Sequence, residues 1–198
     1  MDDTTQHQQL IARVRAGEAG AAGELLGLHL SSLLAYVRLK AGRLVRSKES
    51  MSDVVQSVCR EVLADLPRFR YQGTAQFRHW LFTHALHKIQ NKNRHYRAVR
   101  RAAEREVDLE ADDRELEQAY ATLCTPSRHA VGREDLVAFE RAFAALPDEY
   151  REAVLLRRVV GMDYPAIAAQ LGKSEGAVRN LVYRGIARLA VQSRKTET

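Results

Sequence analysis

The stretch MDYPAIAAQLGKSEGAVRNLVYRGIARLA, residues 162–190, reads as two helices joined by a tight turn. Asp163 stands where an N-cap belongs, and Pro165 falls in the first turn, where its missing N–H costs nothing. Gly172 ends the first helix in a conformation other residues resist, and Ser174 is placed to cap the second. Ile167, Ala168, Leu171, Val178, Leu181, Val182, Ile186 and Leu189 fit a small shared core. Glu175, Gly176, Arg179, Asn180, Tyr183 and Arg184 are then left on the outer face of the second helix. Arginine can take guanine in a bidentate pair and asparagine can take adenine. The pattern is that of a helix-turn-helix whose second helix meets base edges with its N-terminal half. A helical hairpin packing on protein is the alternative, and the punctuation weighs against it. LVAFERAFAALP and DEYREAVLLRRVVG add helical segments upstream, so a helical domain is expected over 130–198.

A second nucleic-acid signal lies in the other half: DLPRFRYQGTAQFRHWLFTHALHKIQNKNRHYRAVRR, residues 65–101. Between Leu66 and Ala103 there is no acidic residue, but there are nine Arg or Lys, four His and six aromatics. Basic side chains neutralise phosphates, while Phe69, Tyr71, Phe77, Trp80, Phe82 and Tyr96 offer faces on which unpaired bases stack. The competing reading is a basic amphipathic helix whose aromatics are all core. Pro67 stops the preceding helix, because the residue before a proline is pushed out of helical geometry. FRYQGTAQ is then a loop, and a long helix resumes near Gln76. Phe77 and Trp80, three apart on that helix, are expected in the core, which leaves the loop aromatics to grip an extruded base. His79, His84 and His87 lack a carboxylate or cysteine to complete a metal set and read as exposed basic surface; no metal or cofactor is expected.

The helix before Pro67 runs from about Ser50 to Leu66. Val55, Val58, Cys59, Val62 and Leu66 recur at helical spacing and should face a core. Asp53, Gln56, Ser57 and Arg60 share the opposite face. Further upstream, residues 5–42 read as two scaffold helices broken near Gly17–Gly20. Between the two halves the charge reverses: from Glu104 to Glu117 eight acidic residues stand against two arginines. That run reads as a partly helical connector over 102–129, between a first domain at 1–101 and the second at 130–198.

Composition agrees with this division. The 198 residues allow one domain or two small ones, and 45% hydrophobic residues suffice for packed cores. A net charge of +6 suits a polyanionic partner. Cys59 and Cys124 cannot make a disulfide framework or a thiolate zinc site by themselves. No signal-peptide pattern and no membrane-length apolar run is present, so a cytoplasmic protein without membrane insertion is expected. Few prolines and no alternating strand pattern point to an all-α chain of two small helical domains.

Taken together, these motifs resemble the extracytoplasmic-function (ECF) group of bacterial RNA polymerase sigma factors, from about Gln9 to Ala190. DVVQ (53–56) and RFR…FRHWLF (68–82) are similar to sigma region 2, and LPDEYREAVLLRRVVGMDYPAIAAQLGKSEGAVRNLVYRGIARL (146–189) to region 4. The resemblance implies a promoter-specificity subunit that is no enzyme by itself and that works with core RNA polymerase and promoter DNA. Asp53, Gln56, Ser57 and Arg60 would dock on the polymerase. Arg68, Phe69, Arg70, Tyr71, Gln72, Arg78, His87 and Lys88 would melt and hold the minus-ten element. Arg179, Asn180, Tyr183 and Arg184 would read the minus-thirty-five element as duplex. A stand-alone helix-turn-helix regulator binding duplex DNA is the alternative.

Three departures from the family pattern stand out. The loop between Arg70 and Phe77 is about two residues longer, His87 replaces a common Asn, and the usual Asp-Ala-Glu-Asp of the docking helix is Ser50-Met51-Ser52-Asp53. With Ser57 also in place of an acid, this face is poor in negative charge. Phosphorylation of Ser50, Ser52 or Ser57 by a Ser/Thr kinase would restore it, in place of release from an anti-sigma factor. Ser50 and Ser52 lie near the helix N-terminus, where added negative charge is favoured.

Overall fold

The computed structural model describes residues 3–71, 73–99 and 133–194, and those residues contain helices and no strand. The chain forms two compact units, Met1–Ala111 and Asp112–Thr198. The expected connector at 102–129 lies outside the described residues.

The first unit contains α1 (Asp3–Arg15), α2 (Ala21–Gly27), α3 (Leu30–Lys40), the single turn α4 (Arg43–Arg46), α5 (Met51–Asp65) and α6 (Thr74–Val99). Three helices therefore occupy the N-terminal segment where two were expected. The leucine stripe breaks at Leu28–His29, because His29 turns inward, is 6% exposed and bonds to buried His7. Tertiary contact overrides local periodicity there. Arg13 ties α1 to α2, donating to Glu18 at 2.5 Å and Glu24 at 2.7 Å.

On α5, Val55, Val58, Val62 and Leu66 are buried as the spacing predicts, and Met51 and Val54 join them. Cys59 is only half-buried, at the edge of that stripe. The helix ends at a 3-10 turn, Leu66–Arg68, carrying Pro67. Glu49, just before α5, accepts hydrogen bonds from Lys92 and Tyr96, so the far half of α6 is clamped to the start of α5. Burial raises the Glu49 carboxyl, but these two hydrogen bonds prevail and hold it below the ordinary range.

The second unit contains α7 (Arg133–Ala144), α8 (Asp148–Leu155), α9 (Tyr164–Leu171) and α10 (Glu175–Arg194). A π turn, Leu156–Val160, extends α8 and closes at Gly161 with φ 76°. Asp163 Oδ1 accepts from the Ala166 amide at 2.9 Å, and Ser174 Oγ accepts from the Ala177 amide at 3.3 Å, so both caps read from the sequence are made. Gly172 adopts φ 63°, ψ 37°, which only glycine takes without strain. Ile167, Ala168, Val178, Val182 and Leu189 are buried, whereas Leu171, Leu181 and Ile186, also expected in the core, are half-exposed. Helix α10 packs on α7 and α8 as well as on α9, so the core is shared among four helices and the stripe read for α9 and α10 as a pair lies only partly inside it.

Candidate nucleic-acid interface

Where α5 gives way to α6, the chain leaves the 3-10 turn in extended conformation and re-enters a helix at Thr74. Gly73, with φ 140°, makes that re-entry, and its carbonyl accepts from the Phe77 amide at 3.1 Å. The turn and the start of α6 enclose an open groove of about 430 Å³ lined by Asp65, Arg68, Phe69, Arg70, Gln76 and Trp80. Its aromatic wall is a stacked pair: the Phe69 and Trp80 rings lie 4.4 Å apart at 24°. Phe77 is fully buried behind them, as expected. Trp80, expected in the core as well, is only half-buried. Three helical positions carry it around from Phe77 to the groove rim, where Phe69 meets it. Its far edge contacts His84, whose Nε2 stands 4.0 Å from Asp65 Oδ2. Arg68 and Arg70 are exposed on the groove.

Tyr71 departs from the expectation for the loop aromatics. Its hydroxyl lies 3.0 Å from His7 Nδ1 and 3.2 Å from Thr74 Oγ1, and its ring stacks on His7 at 5.6 Å. The phenol is therefore directed into the unit as an anchor. Gln72 lies outside the described residues. Along α6, His79 and His87 are exposed, as expected for basic surface, while His84 is half-buried against Trp80. Arg78 is half-buried, and Lys88 donates to Glu61 of α5 at 2.6 Å. Among the described residues no cluster of His, Cys, Asp and Glu could hold a metal ion.

On the opposite side of α5, Asp53, Gln56 and Arg60 are exposed and Ser57 is half-exposed, on one face as the spacing predicts. Leu63, 41% exposed, continues that face one turn beyond Arg60. Ser50 occupies the N-cap position of α5 without a side-chain cap hydrogen bond, and Ser52 is half-exposed.

In the second unit, Arg179, Asn180, Tyr183 and Arg184 are all exposed along α10. Tyr183 is 66% exposed, a large aromatic held in water beside two arginines. Arg179 is oriented from below. Its guanidinium lies over the Tyr164 ring, 4.3 Å from the centroid, and one nitrogen stands 3.5 Å from Glu175. Arg157, donating to the Met162 carbonyl at 2.9 Å, also lies over Tyr164, at 4.7 Å.

Comparison with known proteins agrees with this arrangement. The sequence profile of the family described as Sigma-70, region 4 matches residues 136–189, which include all of α9 and most of α10. ECF RNA polymerase sigma factor SigD of Mycobacterium tuberculosis is 30% identical over 180 residues, 91% of this chain and 80% of that protein. ECF RNA polymerase sigma factor ShbA of Streptomyces griseus is 31% identical over 190 residues, 95% of each. This chain belongs to the ECF sigma factors. Among solved structures, CnrH in complex with the cytosolic domain of CnrY superposes with a TM-score of 0.57 at 25% identity, covering 94% of this chain and 96% of CnrH. The sigma factor RpoE from Bartonella quintana, in complex with the anti-sigma factor NepR, shares the fold with a TM-score of 0.57 at 22% identity, over 89% of this chain and 98% of RpoE.

Sequence reasoning missed several residues around the sites of this sigma factor. His7 falls on the apolar stripe of α1 with Leu10, Ile11 and Val14, and that position was the available signal. Tyr164 gave none, since an aromatic beside a helix start is ordinary. Leu63 was legible in principle, being an apolar residue on the polar face of α5. Among the described residues no helix is long and apolar enough to cross a membrane.

Proposed function

We propose that this ECF sigma factor binds core RNA polymerase and directs it to promoters, holding a melted strand with its first unit and reading duplex with its second. The observation that carries the reading is the groove walled by stacked Phe69 and Trp80 and flanked by Arg68 and Arg70. A flat aromatic edge beside two free-standing guanidiniums suits an unstacked base and its phosphates. The exposed Arg179, Asn180, Tyr183 and Arg184 supply base-edge donors and acceptors on a capped recognition helix. Asp53, Gln56, Ser57 and Arg60 are the docking contacts in this reading, with Arg78, His87 and Lys88 further along the strand path. The chain supplies recognition; the polymerase supplies the chemistry. The test is titration of core RNA polymerase with the full chain, followed by run-off transcription on candidate promoters. Tight binding with initiation supports the reading, while duplex binding that needs no polymerase would turn it toward a stand-alone regulator.

A second reading concerns control. Of the docking-face groups, Asp53 and Arg60 cancel in charge, and Ser50 leaves its hydroxyl uncommitted to the helix it caps. Phosphorylation at Ser50, Ser52 or Ser57 by a Ser/Thr kinase would add roughly −1.5 to −2 charge there. An anti-sigma factor is the competing mode of control. Alanine at all three serines would abolish transcription in cells if the charge is required, and aspartate would restore it. Intact transcription from the alanine variant would end this reading.

A further inference from the structure

His7 is wholly buried, yet it is a polar side chain on a helix far from the groove in sequence. Both of its ring nitrogens are in use: Nδ1 lies 3.0 Å from the Tyr71 hydroxyl and Nε2 lies 3.2 Å from His29 Nε2. The hydroxyl of Tyr71 passes the series on to Thr74 Oγ1 at 3.2 Å, in the first turn of α6. A line of four hydrogen-bonding groups thus runs from the His29 turn, through α1, to the segment that carries Phe69. The rings reinforce it, with His7 stacked on Tyr71 and set edge-on against Phe77 at 5.1 Å. Burial pushes the His29 imidazole down to about 3, helped by Arg78 and His7, so at neutral pH it is uncharged and its Nε2 either donates to His7 Nε2 or accepts from it, according to the tautomer.

We infer that His7 is a positioning residue for the groove, latching Tyr71 so that Phe69, two residues earlier, stays stacked on Trp80. This rests on the reading of the groove as the place where an unstacked base is held. The physical reason for the latch lies in the loop itself. Phe69 is on an extended segment between a 3-10 turn and α6, where its half-buried ring meets Trp80 and, edge-on at 5.8 Å, Phe77. A phenol bonded to a buried imidazole restricts that segment by a directional contact, since breaking it would strand the buried imidazole nitrogen. The base-binding edge is then formed before a base arrives, which removes part of the ordering cost from binding.

Trp80 is the chain's one tryptophan, so its emission reports on this stack without labelling. The experiment uses the full chain, alone for fluorescence and with core RNA polymerase for selection from a random single-stranded DNA pool. Tyr71→Phe removes one oxygen and leaves the rings in place. It should raise acrylamide quenching of Trp80 and weaken enrichment of the preferred base by about 2–10-fold, with polymerase affinity unchanged. His7→Leu should do the same, the double variant should be no worse than either single one, and His7→Asn, which keeps an amide near Nδ1, should recover most of the loss. Phe69→Ala separates the two levels of the argument. If Phe69→Ala abolishes enrichment while Tyr71→Phe leaves enrichment and quenching as in the wild type, the latch is overturned and the groove reading stands. If Phe69→Ala also leaves enrichment intact, the groove reading fails and the latch falls with it.

Discussion

Gly185 of α10 packs so tightly on Val154 of α8 that a Cβ added to the glycine would lie 2.6 Å from Val154 Cγ2. Tyr150 contributes both its Cβ and its carbonyl oxygen to the same spot, each at 3.6 Å. Helix α10 is therefore seated through its backbone, and the outward angle of Arg179 and Tyr183 depends on that seat. Val154 is fully buried and β-branched, so it has little freedom to move aside. Gly185→Ala should destabilise the second unit by about 1–3 kcal/mol from overpacking, less up to about 1 kcal/mol regained in helix propensity. Urea unfolding followed by far-UV circular dichroism checks this. A variant as stable as the wild type would show that α10 can shift outward without loss.

The stack of Arg179 on Tyr164 gives a graded test of the recognition face. Arg179→Ala should cost about 1–3 kcal/mol of promoter recognition and relax specificity at one position, measured by holoenzyme selection from a random duplex pool. Equal losses on every sequence would instead mark Arg179 as a phosphate contact. Tyr164→Leu removes the ring face but keeps apolar bulk, and should cost about 0.5–1 kcal/mol at the same position. If the ring acts only by orienting Arg179, adding Tyr164→Leu to Arg179→Ala costs nothing more. A further loss in the double variant would mean that Tyr164 acts by another route.

What could be read from the sequence was local. The caps at Asp163 and Ser174, the stop at Pro67 and the polar face of α5 each depend on residues within a turn or two of one another, and each stands in the structure where the pattern put it. The misreadings came from contacts between distant segments. His29 broke a leucine stripe because its partner is on α1, and Trp80 stands at the groove rim, where Phe69 covers it from across the loop. Tyr71 looked like a base-stacking aromatic because nothing near it in sequence declares that His7 waits for its hydroxyl. Arg179, Asn180, Tyr183 and Arg184 are exposed along α10 as their pattern predicts, whereas Tyr164 and Val154, which hold Arg179 and the helix itself, gave no such signal.

Buried His29 should make the first unit sensitive to acid. Its folded-state value, pushed down to about 3 by burial with Arg78 and His7 adding charge, lies below the ordinary 6.5. The folded state thus refuses a proton that the unfolded chain accepts. The stability associated with neutral His29 is whole above pH 6.5 and is lost as pH falls below it, by about 1.4 kcal/mol per unit and about 2 kcal/mol by pH 5. Trp80 fluorescence follows unfolding of this unit alone, because the tryptophan lies within it. His29→Gln should flatten the dependence between pH 7.5 and 5 relative to the wild type. Equal slopes in the two proteins would assign the acid sensitivity to another group.

Leu63 extends the proposed docking face of α5 past Arg60 with an apolar side chain that is 41% exposed. A leucine on a polar helix face is ordinary by itself, but this one sits in line with Gln56 and Arg60, where the proposed polymerase contact ends. If the polymerase covers that face, burying the exposed part of the side chain contributes about 1 kcal/mol, a fraction of the value for a whole leucine. Leu63→Ser should then weaken binding to core RNA polymerase about 5-fold, since 1.4 kcal/mol is a factor of 10. Thermal stability should fall only modestly, because 41% of the residue's surface is already in water. Arg60→Ala provides the comparison: a rim charge should show a strong dependence on salt, whereas the loss at Leu63 should not. Unchanged affinity for Leu63→Ser together with a loss for Arg60→Ala would end the contact short of Leu63. Unchanged affinity in both would move the docking surface off this face of α5.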